Sequence, residues 1–224
     1  HLEMIQNISP DIPRYIWADE IRLRQILINL LSNAIKFTEK GEVELKVEIL
    51  EKVGTSQTKI LFSVRDTGIG IDAKNQKKVF EVFSQEDLST TKKYGGTGLG
   101  LAISSKLLSL MNSELKLQSE ISIGSCFYFE ITFDSQMGEA VVWDNIELYK
   151  NILIVDDNTN NLTIFQNLLS SNNIKSDTAK SGNEAITLLL GDKQYDAVLM
   201  DYNMPEMDGI ETIRKIRQKL KMSH

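Results

Sequence analysis

The chain has 224 residues, 42% of them hydrophobic and 25% charged, a length and composition that fit two modest domains with a buried core each. Its net charge of −6 argues against nucleic acid or an anionic membrane surface as the main partner, so any phosphate binding has to be local. The single cysteine, Cys126, leaves no internal disulfide and suits a reducing compartment.

Nothing reaches the roughly 18 apolar residues of a membrane span and no secretory signal is visible, so the expected location is cytoplasmic, with any membrane anchor of the parent outside this piece. The opening His1-Leu2-Glu3 has the look of a cloning scar, and the piece is read as cut from something longer. From Asp19 to Phe37, DEIRLRQILINLLSNAIKF predicts a helix capped by Asp19 and apolar around most of its circumference, hence buried. GEVELKVEIL (41–50) and KILFSVRDTG (59–68) read as a hairpin across the turn EKVGTSQT. Residues 73–83 and 101–112 read as helices, and LKLQSE and SCFYFEITF (125–133) as strands, the latter with Cys126 expected in the core. The sum is an α+β two-layer sandwich over 1–134. Residues 135–149 lose periodicity and read as a linker. From 150 to 224, strands at 151–155, 174–179 and 197–201 alternate with helices at 159–171, 183–191 and 209–220, which implies right-handed crossovers and a parallel sheet.

Three features of the first region point to an anion. KKYGGTGLGLAIS (92–104) packs four glycines into six positions at a helix start near Leu99. It lacks the Gly-Lys-Ser/Thr ending of a Walker A loop, and no strand precedes it as a dinucleotide fingerprint requires. What remains is a set of bare amide N–H groups and a positive helix end. On the 19–37 helix, Gln25, Asn29, Asn33 and Lys36 share one face; amide oxygens suit Mg²⁺ and a lysine suits phosphate, while a solvated polar face is the plainer alternative. RDTGIGI (65–71) ends a strand in an aspartate able to accept from an exocyclic amine, with glycines that let a flat ring approach the backbone.

Taken in order, NLLSNAIKF, DTGIG, VFEVF and GGTGLGL resemble the N, G1, F and G2 boxes of sensor histidine kinases, members of the Bergerat-fold ATPases, from about Asp11 to Phe133. The resemblance implies ATP and Mg²⁺ as ligands. It implies that Asn33 and Asn29 serve the metal, Lys36 a phosphate, Asp66 the adenine amino group, and Gly68 and Gly70 the base pocket. Phe80 and Phe83 would root a lid over 84–94, Lys92 and Lys93 would add charge, and Gly96, Thr97, Gly98, Leu99 and Gly100 would cradle the triphosphate. The chain departs from the family's usual glycines at Met111-Asn112-Ser113 and Ser122-Ile123-Gly124-Ser125, with changes of turn geometry expected and binding kept.

In the second region Asp156 and Asp157 follow one parallel strand and Asp201 ends another. Carboxylates converging at strand ends repel one another unless a cation binds, so they predict Mg²⁺, and a carboxylate left facing solvent there can attack phosphorus. VDDNTNN and MDYNMPEMDG resemble the motifs of response-regulator receiver domains, an α/β flavodoxin-like fold. The resemblance implies Asp201 as phospho-acceptor, Asp156, Asp157 and the Asn203 carbonyl as metal ligands with it, and Pro205 and Gly209 as shapers of the loop. Receivers have five βα units and this sequence carries three, so the domain is read as incomplete through truncation or proteolysis, with the Asp201 strand an uncovered edge.

The resemblance to a hybrid histidine kinase implies transfer of the ATP γ-phosphoryl group to a histidine on a dimerisation hairpin absent from this sequence, then relay to Asp201 and onward to a phosphotransfer protein or response regulator. The chain alone is not expected to label itself, since its histidines are His1 and His224. Rival readings are a clamp-type Bergerat ATPase, whose glutamate base is replaced here by Asn29, and a nucleotide-binding scaffold without catalysis.

Overall fold

A computed structural model describes residues 2–81, 99–138 and 145–220. The chain divides into two compact units, His1–Ala140 and Val141–His224. Among the described residues no helix is long and apolar enough to cross a membrane.

The first unit is a six-stranded sheet with helices on one face. Its strands are β1 (Leu2–Ile8), β2 (Tyr15–Trp17), β3 (Gly41–Val53), β4 (Gln57–Asp66), β5 (Lys116–Glu120) and β6 (Gly124–Gln136). They run in the order β1-β3-β4-β6-β2, with β5 also paired to β6. The β3–β4 hairpin expected from alternation forms, and β1 lies parallel to β3 while β2 closes antiparallel on the end of β6. On the inward face Phe62 stacks on Phe129 with centroids 5.1 Å apart and meets Phe133 edge-on at 6.2 Å. The outward face is polar, with Arg65 bridging Glu42 (3.1 Å) and Glu44 (3.0 Å). Cys126 belongs to that outward face, opposite Arg65, and is half-buried. The expectation of a core cysteine is therefore corrected: β6 turns Phe127, Phe129, Ile131 and Phe133 inward, which sends residue 126 the other way.

Helix α1 (Glu20–Phe37) starts where Asp19 accepts from the Arg22 N–H at 3.1 Å, and the buried Thr38 hydroxyl closes its end by donating to Ala34 O at 2.8 Å. Ile26, Leu30 and Ala34 are buried, one turn apart, but Ile21 (82% exposed), Ile28 and Ile35 form an outward stripe. The helix is thus buried on one side only, because a single helical layer covers the sheet and only the inward arc meets it.

The helix expected over 73–83 is also corrected. Residues 73–77 form turns that lead into a short 3₁₀ segment, Lys78–Phe80. Asp72 satisfies the start of this stretch, its side chain accepting from Lys74 N (3.0 Å) and its carbonyl from Asn75 N (2.8 Å). With Val79 and Phe80 as its apolar anchors, the segment has too short a buried stripe to propagate an α-helix. Helix α2 (Gly100–Leu110) follows. It ends where Asn112 takes the left-handed conformation (φ 55°) and Ser113 N–H reaches back to Leu108 O at 2.9 Å, so asparagine fills the role glycine has at many helix ends.

In the second unit β7 (Asn151–Val155) lies between β8 (Lys175–Ala179) and β9 (Ala197–Met200), all parallel. Both faces of β7 are buried: Ile152 and Ile154 pack with Leu162 and Leu169, and Leu153 and Val155 with Ala179, Ala185 and Met204. Helices α3 (Thr159–Ser171) and α4 (Gly182–Leu189) provide the two crossovers, and α5 (Gly209–Leu220) follows β9. Asn158 and Ser181 cap the first two of these through backbone N–H groups. The loop before β9 is tied down by Asp177, which accepts from Lys193 and Tyr195 at 2.5 Å each. Burial, together with that carboxylate, pushes the Tyr195 phenol up to about 12.

Candidate functional site

Asp66 is the last residue of β4 and is buried. Its Oδ1 accepts from Gly68 N at 2.9 Å and from Ser125 N at 3.2 Å, which fixes the carboxyl plane. Burial pushes this carboxyl above the usual aspartate range, and the two backbone donors pull the other way. The loop after it is held against protein backbone. A Cβ on Gly68 would lie 2.3 Å from Phe37 O, and one on Gly70 (φ +69°) would lie 1.9 Å from Glu120 O. Both positions require glycine for the chain's own close approach.

Two side chains that the sequence reading passed over lock this loop. Ser119 Oγ accepts from Ile71 N at 2.8 Å and contacts Gly124 O (3.0 Å) and Ser125 Oγ (2.9 Å). Gln76 Nε2 donates to Ile71 O (3.1 Å) and Ser119 O (2.9 Å). Neither carries a motif or a periodic signal, and only the fold brings them to the end of β4. Phe80 packs edge-on against Phe127 at 6.4 Å.

Across the unit, Asn29 and Asn33 are half-buried on α1, while Gln25 is exposed. A Cβ built on Gly100 meets nothing closer than Asn29 Cγ (3.8 Å), Asn29 Oδ1 (3.9 Å) and Asn33 Nδ2 (4.0 Å). The bare side of Gly100 thus opens onto two carboxamides at the start of α2, the Asn29 oxygen suiting a hard cation and the Asn33 Nδ2 a phosphate oxygen. Leu99 is the N-terminal boundary residue of α2. Lys36 Nζ stands 4.9 Å from the Phe37 ring centroid. Phe83, Lys92, Lys93, Gly96, Thr97 and Gly98, with the expected lid over 84–94, lie outside the described residues.

The second unit gathers its acids. Carboxylate oxygens of Asp156, Asp157 and Asp201 come within 4.8 Å of one another. Asp156 is buried, with one oxygen accepting from Asn158 N at 2.8 Å, and Asp201 is positioned by its N–H on Val155 O at 2.8 Å. Gly209 packs onto this turn, since a Cβ there would meet Asp201 O at 2.2 Å. Asn203 is exposed in the same loop. Three carboxylates so close repel one another in the absence of a cation, so the cluster suits Mg²⁺.

Residues 18–135 match the family model of histidine kinase-, DNA gyrase B- and HSP90-like ATPases. The chain belongs to this ATPase family. Behind the ATPase domain, residues 152–223 match the response regulator receiver domain, the arrangement of a hybrid sensor histidine kinase. Among curated relatives, the chain is 35% identical over 216 residues to the autoinducer 2 sensor kinase/phosphatase LuxQ of Vibrio parahaemolyticus, covering 92% of this chain and 25% of that protein. It is 43% identical over 135 residues to the signal transduction histidine-protein kinase BarA of Escherichia coli, covering 59% and 14%. The chain thus spans about a quarter of the length of relatives such as LuxQ. Full-length ShkA in complex with AMPPNP is similar in fold, with a TM-score of 0.50 and 22% identity over 97% of this chain and 70% of that one. Asp66 and the carboxamides beside Gly100 fall within the ATPase match, and the acidic triplet falls within the receiver match.

Proposed function

We propose that the first unit binds Mg-ATP and donates its γ-phosphoryl group to a histidine of a separate dimerisation domain, and that Asp201 then receives the group. Asp66 would accept from the adenine amine, Gly68 and Gly70 would shape the base loop, and Lys36 and the amides at the start of α2 would face phosphate oxygens. Asn33 and Asn29 would offer amide oxygens to one Mg²⁺; Asp156, Asp157, Asp201 and the Asn203 carbonyl would hold another. What the metal supplies is charge neutralisation on the phosphoryl oxygens. In the first transfer ADP leaves as the histidine nitrogen bonds phosphorus; in the second the histidine leaves as an Asp201 oxygen bonds it. The onward acceptor would be a histidine phosphotransfer protein or a response regulator.

The observation that carries this reading is the open side of Gly100 facing Asn29 and Asn33. A clamp-type ATPase is disfavoured by Asn29, which stands where those relatives place a glutamate base and has no basic atom to take a proton from water. Calorimetry with AMPPNP and Mg²⁺ tests the site: saturable binding is expected, no binding would leave a scaffold, and steady ATP turnover by the chain alone would favour the ATPase. Labelled ATP with the parent's histidine hairpin then reports transfer.

Affinity should also depend on pH. The ionised form of Asp66 accepts the amine more strongly, and its pKa is raised by burial. ATP affinity is therefore expected to begin falling, on acidification, above the usual aspartate range, and Asp66→Asn should remove that inflection. The fold responds with the opposite sign. The folded chain takes up this proton more readily than the unfolded one, so the Asp66 contribution to stability rises as pH drops through its raised pKa. Titrating affinity and urea midpoint side by side separates the two.

A further inference from the structure

Asn29 is the polar side chain through which α1 reaches α2. Its Nδ2 donates to Gly100 O and to Ser104 Oγ on α2, at 3.3 Å each. Its Oδ1 accepts from Gln25 Nε2 at 3.2 Å and lies 3.9 Å from the point where a Gly100 side chain would begin. Ser104 is fully buried, one turn into a helix whose inward residues are otherwise apolar, and buried hydroxyls persist where they are hydrogen-bonded. Turning the amide over would set its oxygen against the Gly100 carbonyl, which cannot donate, so that contact selects the orientation, and the Ser104 hydroxyl accepts in keeping with it.

We infer that Ser104 is a positioning residue for nucleotide binding: with Gly100 O it holds the Asn29 amide so that Oδ1 faces the phosphate space, and it ties the first turn of α2 to α1. The inference rests on the proposed Mg-ATP site. It adds a requirement that the spacing of the glycine loop does not contain, a small hydroxyl four residues into the helix. Because Ser104 faces Asn29 and is sealed from solvent, it acts through that amide and touches no ligand. Gln25 completes the arrangement from the exposed side by occupying one lone pair of Oδ1 and leaving the other for a cation.

The test compares the parent chain with Ser104→Ala and Asn29→Asp. Ser104→Ala deletes only the acceptor. Asn29→Asp keeps oxygens for a cation but sets one of them against the Gly100 carbonyl, which has no hydrogen to give, while the Ser104 hydroxyl can turn to donate. Amide hydrogen exchange across residues 101–105 of the nucleotide-free protein is expected to quicken about tenfold in both, since protection there reports local opening. Titration of Ser104→Ala should show AMPPNP–Mg²⁺ binding about three- to tenfold weaker, with adenosine binding unchanged because the base end is untouched. Unchanged exchange, or faster exchange with unchanged AMPPNP affinity, would overturn the inference. So would a parallel loss of adenosine affinity or global unfolding in Ser104→Ala, either of which makes it a packing residue. If the parent chain failed to bind AMPPNP at all, the nucleotide reading would fall on its own, while the exchange measurement would still report whether the tie between the helices exists.

Discussion

Gly70→Ala is expected to destabilise the first unit by about 3 kcal/mol or more, the sum of left-handed strain and a forced backbone displacement. Gly70 has φ +69°, and its missing Cβ would fall 1.9 Å from the carbonyl oxygen of Glu120, a backbone atom that cannot rotate aside. The β5–β6 turn behind that carbonyl is itself fastened to the loop, with Ser122 N donating to Ile69 O at 2.8 Å. Moving either side disturbs the Ser119 and Gln76 contacts as well. The matched control is Gly54→Ala, which shares the positive φ (+63°) with nothing within 4 Å and should lose only about 1 kcal/mol. Urea denaturation of both variants checks the difference. Equal midpoints would show that the loop after Asp66 is not held against the β5–β6 turn.

Asp201→Asn is expected to do two opposite things to the second unit. Two unit charges about 5 Å apart cost roughly 1 kcal/mol in water and several times that at the effective dielectric of a partly buried site. Asp156, Asp157 and Asp201 bring their oxygens within 4.8 Å. Neutralising one should therefore raise stability by about 1 kcal/mol in chelator, visible as a higher melting temperature, while phosphoryl uptake from a phosphohistidine donor disappears. Mg²⁺ should then stabilise the parent chain more than the variant, because a ligand that binds only the folded state adds stability in proportion to its affinity. A lower melting temperature in chelator would show that the cluster is held by something other than a cation.

What the sequence made legible was local. The Asp19 cap, the helix behind it and the strand–helix alternation after residue 150 depend on residues a few positions apart, and the structure carries them, though the helix expected to be buried all round is buried on one side only. Contacts between distant segments were harder to read. The glycines of DTGIG look in sequence like room for a flat ring, yet the space beside Gly68 and Gly70 is filled by Phe37 and Glu120 carbonyls, atoms 31 and 50 positions away. Gly100 is the reverse case: among the described residues nothing comes closer to a Cβ there than the Asn29 and Asn33 side chains at 3.8–4.0 Å, so the chain's own packing does not account for this glycine. The stretch at 73–83 has helix-forming composition, but Asp72 accepts from the N–H groups that follow it and 73–77 settles as turns ahead of the 3₁₀ segment at Lys78–Phe80. β1 and β2 went unseen because each depends on a partner far along the chain.

The pairing of β2 with β6 sets Tyr15 opposite Gln136 and Trp17 opposite Asp134. A three-residue ribbon thereby closes a circuit of about 120 residues, the largest closed by a strand pairing among the described residues of the first unit, and so short a ribbon returns little of the entropy that such a closure takes up. It should be the last stretch to zip on refolding and the first to fray.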